Sequence, residues 1–108
     1  MAFIILYVTH KNKEEAKKIG DFLLNKHLIA CANYFPVESG YWWNGIIESD
    51  DEYVSIFKTR REFWNLVKKE IESIHPYDVP CIMKIEVEAN DAYEKWIFSE
   101  TKYDKTDA

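Results

Sequence analysis

The soft donor atoms of this 108-residue chain sit on Cys31 and Cys81 and on His10, His27 and His75. Thiolate and imidazole suit copper and the other late divalent metals, so these side chains bound where such an ion could be held. Cys31 stands between Ala30 and Ala32 and reads either as a soft ligand or as a small buried hydrophobe, the commoner state of a free thiol. Cys81 alternates with Met83 on the apolar face of a predicted strand, which commits it to a core. His75 precedes Pro76 where a helix must stop. There its ring can bond the last helical carbonyls, or it can line a cleft with Tyr77 as ligand or proton donor. His10 and His27 read as surface residues at element ends.

Charged and aromatic residues offer a second kind of site. Glu52 and Lys58 are six apart in one predicted strand and therefore share a face. They could flank a ligand, Glu52 meeting a cation and Lys58 an anion, or form an ion pair. Asp50-Asp51-Glu52 lacks the glycine and the spacing of an EF-hand loop and reads as a solvated strand edge. Trp42 and Trp43 alternate, so one is expected to pack inward and the other outward, as packing surface or as a pocket wall.

The elements that must position these groups follow from periodicity. Phe3 to Val8 is a continuous β-prone run, as in a strand covered on both faces. Asn12 with Glu15 opens a helix expected over 13–26, with Ala16, Ile19, Phe22 and Leu23 on its apolar face. An extended segment from Ile29 to Trp43 contains Pro36 and Gly40, which predict a bulge or bend. Asn44-Gly45 between apolar β-formers predicts a two-residue hairpin turn, and the return strand reaches Lys58. Thr59 with Glu62 reads as a capping box for a second helix that Pro76 ends. A half-buried strand follows over 81–88, then a short helix begun by Asp91 and carrying Tyr93, Trp96 and Ile97. The order β-α-β-β-α-β is that of an α+β, ferredoxin-like antiparallel sheet with two helices on one face, plus a short C-terminal helix. One domain over 1–102 with a frayed tail over 103–108 is expected.

Two helices cover one face only, yet the first strand is apolar on both, and Val54 and Ile56 alternate with Tyr53 and Phe57 in the third. Further copies of the chain are the economical cover, because apolar burial is worth about 25 cal/mol per Å². An aromatic content of 16% in so short a chain agrees with buried interfaces.

Several short segments, in order, resemble the CutA divalent-cation-tolerance family. They are Leu28-Ile29-Ala30-Cys31-Ala32-Asn33, Tyr41-Trp42-Trp43 with Gly45, Asp51-Glu52, Lys58-Thr59, His75-Pro76-Tyr77-Asp78-Val79-Pro80, and Tyr93 with Trp96. The resemblance covers nearly the whole chain. It implies a ferredoxin-like protomer in a homotrimer with its sheets packed inward, and a link to divalent-metal tolerance with binding of copper or another divalent cation. It also implies architectural kinship with the PII signalling proteins, which leaves a trimeric small-ligand sensor or assembly scaffold as the alternative function. Because Cys31 and His75 lie within matching segments, they are the leading metal candidates, with Glu52 third. Trp43, Lys58 and Tyr77 are candidates for a cleft between subunits. Some relatives carry a cysteine where this chain has Tyr7-Val8-Thr9, so a site of several thiolates is not expected.

Other functions of such a fold are disfavoured. The first loop, Thr9-His10-Lys11-Asn12, has neither the Cys-x-x-Cys of a copper chaperone nor the arginine of an acylphosphatase anion loop. The third strand lacks the exposed aromatics and basic setting of an RNA-recognition motif. No nucleophile elbow, zinc-protease motif or phosphate-cradling glycine loop is present, and no enzymatic activity is expected. A net charge of −5 argues against nucleic acid and anionic membrane as partners. Two unpaired cysteines and an N-terminal apolar run too short to span a bilayer predict a cytoplasmic protein.

Overall fold

The computed structural model describes residues 2–103. Its elements are β1 (Phe3–His10), α1 (Lys13–Asn25), β2 (Cys31–Trp43), β3 (Ile46–Arg60), a 3-10 turn (Arg61–Phe63), α2 (Trp64–Ile74), β4 (Ile82–Val87) and α3 (Asp91–Glu100). The strands form one antiparallel sheet in the order β2-β3-β1-β4, the ferredoxin-like order. β1 lies inside the sheet, which explains its unbroken apolar run. Ile4, Leu6 and Val8 face α1 and α2 and form a core with Ile19, Leu23, Phe57, Val67 and Ile71.

α1 begins where expected: the Asn12 side chain accepts from the Glu15 amide at 2.9 Å. It ends in a Schellman arrangement, the Leu28 amide donating to the Leu23 carbonyl and the His27 amide to that of Leu24. His27 takes the left-handed conformation there, φ 58°, which glycine usually supplies, and its ring stays at the surface. Gly20 lies under the Tyr34 hydroxyl, so a Cβ at that position would require the tyrosine side chain to shift.

The start of α2 differs from expectation. Thr59 is still in the β1–β3 ladder, and its hydroxyl donates to the Leu28 carbonyl at 2.7 Å, so it caps nothing. The chain passes through the 3-10 turn first, and the helix starts at Trp64. Its end is as predicted: His75 is extended (φ −76°, ψ 132°), as a residue before proline must be. β2 also differs. Its register with β3 is unbroken from Cys31↔Lys58 to Trp43↔Ile46, so Pro36 and Gly40 make no bulge. Within the protomer β2 is an edge strand, where a residue lacking its N–H is tolerated.

The second sheet face is only partly covered. α3 lies over one end of it, with Ile97 buried and Tyr93 packed edge-on against Phe3 at 6.0 Å. Arg60 secures that end, stacking on Phe98 and donating to the Phe98 carbonyl and to Thr101. α3 is therefore a partial layer that the sequence reading had not assigned to this face. Elsewhere the face is open: Met83 and Ile85 of β4 are 48% and 47% exposed, so the apolar alternation of β4 marks the uncovered side and not the helix-covered core. Ile82 is the β4 residue that packs on that core. The Lys102 amide donates to the His27 carbonyl, and of the expected frayed tail residues 104–108 lie outside the described residues.

The β2–β3 hairpin turns at Asn44 (φ 50°) and Gly45 (φ 82°), the two positive angles of a type I′ turn. Contrary to expectation neither tryptophan packs inward: Trp42 is 71% and Trp43 42% exposed, because this end of the hairpin extends past the helices. Gly45→Val forces a β-branched residue into the left-handed region and should lower stability by about 1–2 kcal/mol. Urea unfolding at fixed protein concentration measures this, and an unchanged midpoint would contradict the turn assignment.

Candidate functional site

The segment 75–81, between α2 and β4, crosses the sheet at the base of the hairpin and leaves a cleft of about 660 Å³ beside it. Trp43, Glu52, Tyr77 and Cys81 line this cleft. Tyr77 is the hinge of the arrangement. Its hydroxyl donates to the Glu52 carboxylate at 2.6 Å, and its amide donates to Nδ1 of His75 at 3.2 Å. An amide can only donate and a carbonyl only accept, so His75 carries its proton on Nε2 and gives it to the Thr9 carbonyl at 2.8 Å. Both ring nitrogens are thereby engaged by the protein. His75 is a neutral clamp that ties the end of α2 to the end of β1 and orients Tyr77 toward Glu52.

Behind it lies a residue expected at the surface. His10 is fully buried, stacked on His75 with ring centroids 5.4 Å apart, and its Nε2 meets the Ser55 hydroxyl at 2.7 Å. The reason was legible: His10 continues the period-two series Ile4, Leu6, Val8 on the helix-covered face. Its Nδ1 has no hydrogen-bond partner among the described residues. Burial, and next the neighbouring His75, hold its pKa down at about 4.

Electrostatics in the cleft are set by carboxylates. Burial and then the bond to Glu52 push the Tyr77 phenol well above its usual range, and burial with Glu52 nearby also raises the Cys81 thiol. Tyr41 donates to Asp50 and is raised to about 12, chiefly by that bond. Glu38 stands directly opposite Asp51 in the β2–β3 ladder, a like-charge pair that costs about 0.2–1 kcal/mol. Glu52 and Asp78 line the cleft with no Lys or Arg among its described lining residues.

The predicted site residues divide into two groups. Trp43, Glu52 and Tyr77 meet in the cleft, with His75 directly behind Tyr77. Cys31 and Lys58 pair with each other at the opposite end of the hairpin, six residues along β3 from Glu52, or roughly 20 Å at the rise of a strand. Lys58 donates to the Tyr93 hydroxyl at 3.1 Å. Cys31 has its thiol 4.0 Å from the Asn33 side-chain oxygen. Cys81, read from sequence as a core residue, instead lines the cleft half-buried; its alternation with Met83 was correct, but that face is the open one. Among the described residues no three His, Cys, Asp or Glu side chains converge as a metal-ion set.

A family model described as CutA1 divalent ion tolerance protein matches residues 4–100. The chain belongs to that family. It is 46% identical over 100 residues to the divalent-cation tolerance protein CutA of Pyrococcus horikoshii, covering 92% of this chain and 98% of that one. To the protein so named in Thermotoga maritima it is 43% identical over 95 residues, 87% and 94% of the two chains. The solved structure of the Archaeoglobus fulgidus protein, described as the periplasmic divalent cation tolerance protein CutA, superposes with a TM-score of 0.89 at 39% identity, over 94% of this chain and all of that one. CutA family membership thus accords with the α+β sheet seen here and with the resemblance carried by the short motifs.

The buried histidine makes stability pH-dependent in one direction. An unfolded His10 takes up a proton near pH 6.5, whereas the folded one resists until about 4. Stability is therefore fully present above 6.5 and falls as pH drops toward 4, by roughly 3 kcal/mol. Urea unfolding from pH 7 to 4 should show the decline, and His10→Gln should flatten it. A wild-type profile without slope in this window would contradict the assignment.

Proposed function

We propose that this member of the divalent ion tolerance family is a homotrimer whose protomers pack over the open face of the sheet. In this reading its role is to bind cations, copper among them, rather than to catalyse a reaction. The observation that carries it is the open face itself: exposed apolar Met83 and Ile85 lie on the same side of the sheet as the carboxylate-lined cleft. Apolar burial drives the copies together, and the cleft then sits where neighbouring protomers meet. In this reading Glu52 meets the cation directly, which its position on the cleft wall supports. His75 acts through Tyr77, and Cys31 shares a site with Glu52 only if they come from different protomers. The two free thiols favour a reducing compartment, which supports the cytoplasm, and no helix among the described residues is long and apolar enough to cross a membrane.

Light scattering should give three times the 12.9 kDa chain mass. Ile85→Asp should reduce it toward one chain while helix and strand content persist, since Ile85 is 47% exposed in the protomer and its loss harms only an interface. A trimer unaffected by Ile85→Asp would place the contact elsewhere, and a wild-type monomer would refute the assembly.

Copper and zinc titrated calorimetrically into wild type, Glu52→Gln, Cys31→Ser and His75→Ala test the cation role. Affinity should fall on the order of tenfold in Glu52→Gln, as a lost charge-assisted contact costs about 1.5 kcal/mol or more, and it should weaken as protons compete at lower pH. Equal affinities in all four proteins would remove these residues from the site.

A further inference from the structure

The cleft has room for something larger than a metal ion. Its volume, about 660 Å³, falls in the range of small-molecule sites. Its walls come from two elements, the hairpin with Glu38, Tyr41, Trp43 and Glu52, and the 75–81 segment with Tyr77 and Asp78. No Lys or Arg lines it among the described residues. The carboxylates are spread over both walls and do not converge as a metal set. Spread carboxylates interleaved with aromatic rings suit a cation whose charges are separated by a hydrocarbon body. Ammonium groups bind both to carboxylates and to the faces of tryptophan and tyrosine, and methylenes pack on the same rings.

We propose that this cleft binds a small aliphatic diamine in its doubly protonated form. One ammonium group lies at the hairpin wall against Glu52, the other at Asp78, and Trp43 and Tyr41, which share the Glu52 face of the hairpin, cover the carbon chain. Tyr77 orients the Glu52 carboxylate by occupying one of its oxygens and leaves acceptor capacity on the other. The reading does not depend on copper binding, and it rests on the cleft staying open where neighbouring protomers meet.

The probe is 1,4-diaminobutane, titrated into the full chain by calorimetry with tryptophan emission followed in parallel. The isosteric neutral 1,4-butanediol and the single-charge butylammonium serve as comparisons. The diammonium should bind saturably and perturb emission, butylammonium more weakly, and the diol not at all. Glu52→Gln should weaken the diammonium on the order of tenfold through loss of a charge-assisted contact. Asp78→Asn, at an exposed position, should weaken it comparably, while Asp21→Asn on the exposed side of α1 should not. Absence of saturable binding, equal binding of the diol, or unchanged affinity in both Glu52→Gln and Asp78→Asn overturns the proposal. Molar mass and copper titration on the same samples separate the two readings. A trimer that binds copper but no diamine, its cleft filled by a neighbouring copy, ends this proposal and leaves the cation-tolerance role standing.

Discussion

A four-stranded sheet has two faces to keep from water, and this chain carries two helices for one of them and a single short helix for part of the other. Most of the molecule follows from that imbalance. The helix-covered face is closed by Ile4, Leu6, Val8 and Phe57 against α1 and α2. On the opposite face α3 covers the end near Phe3 and Arg60, the 75–81 segment crosses near Thr9 and Glu52, and Met83 and Ile85 are left between. A surface of this kind gains free energy from any apolar cover. The same geometry explains why β4 alternates so clearly although its apolar side is exposed within one protomer.

The cleft depends on a relay of short contacts rather than on a loop folded for its own sake. His75 can bond the Thr9 carbonyl and accept from the Tyr77 amide at once only as the neutral tautomer with its proton on Nε2. Its stacking on His10 adds a second imidazole with no room for charge, because that ring is buried beside the first. These constraints direct the Tyr77 hydroxyl to Glu52. Histidine at this point serves as structure that presents a carboxylate, and other carboxylates and rings line the cleft in front of it.

Negative charge at the hairpin base runs against local stability. Glu38 opposite Asp51 is unfavourable in a ladder, and Asp50 and Glu52 flank Asp51. Each of Asp50 and Glu52 is held by a phenol, Tyr41 for the first and Tyr77 for the second, which fixes the carboxylates without neutralising them. Such an arrangement raises the local attraction for cations while the net charge of the chain is −5. Among the described residues these carboxylates lie along the sheet and do not converge as a metal-ion set.

By itself the sequence determined the strands, the helices and the tight turn, because these rest on local rules: the Asn12 cap, the angles that Asn44 and Gly45 tolerate, the stop imposed by Pro76. It also carried the family through short motifs spread along its length. What it left to the tertiary structure were the facts that depend on a distant neighbour. Thr59 could cap a helix or bond a carbonyl, and only the presence of Leu28 beside it decided. Cys81 could face core or cleft, and that turned on which side of β4 the helices took. His10 had the period of a buried residue but the type of an exposed one, and it needed His75 and Ser55 across the fold to make burial tolerable. Periodicity tells which residues share a face, but which face is covered is settled by the chain's three-dimensional path.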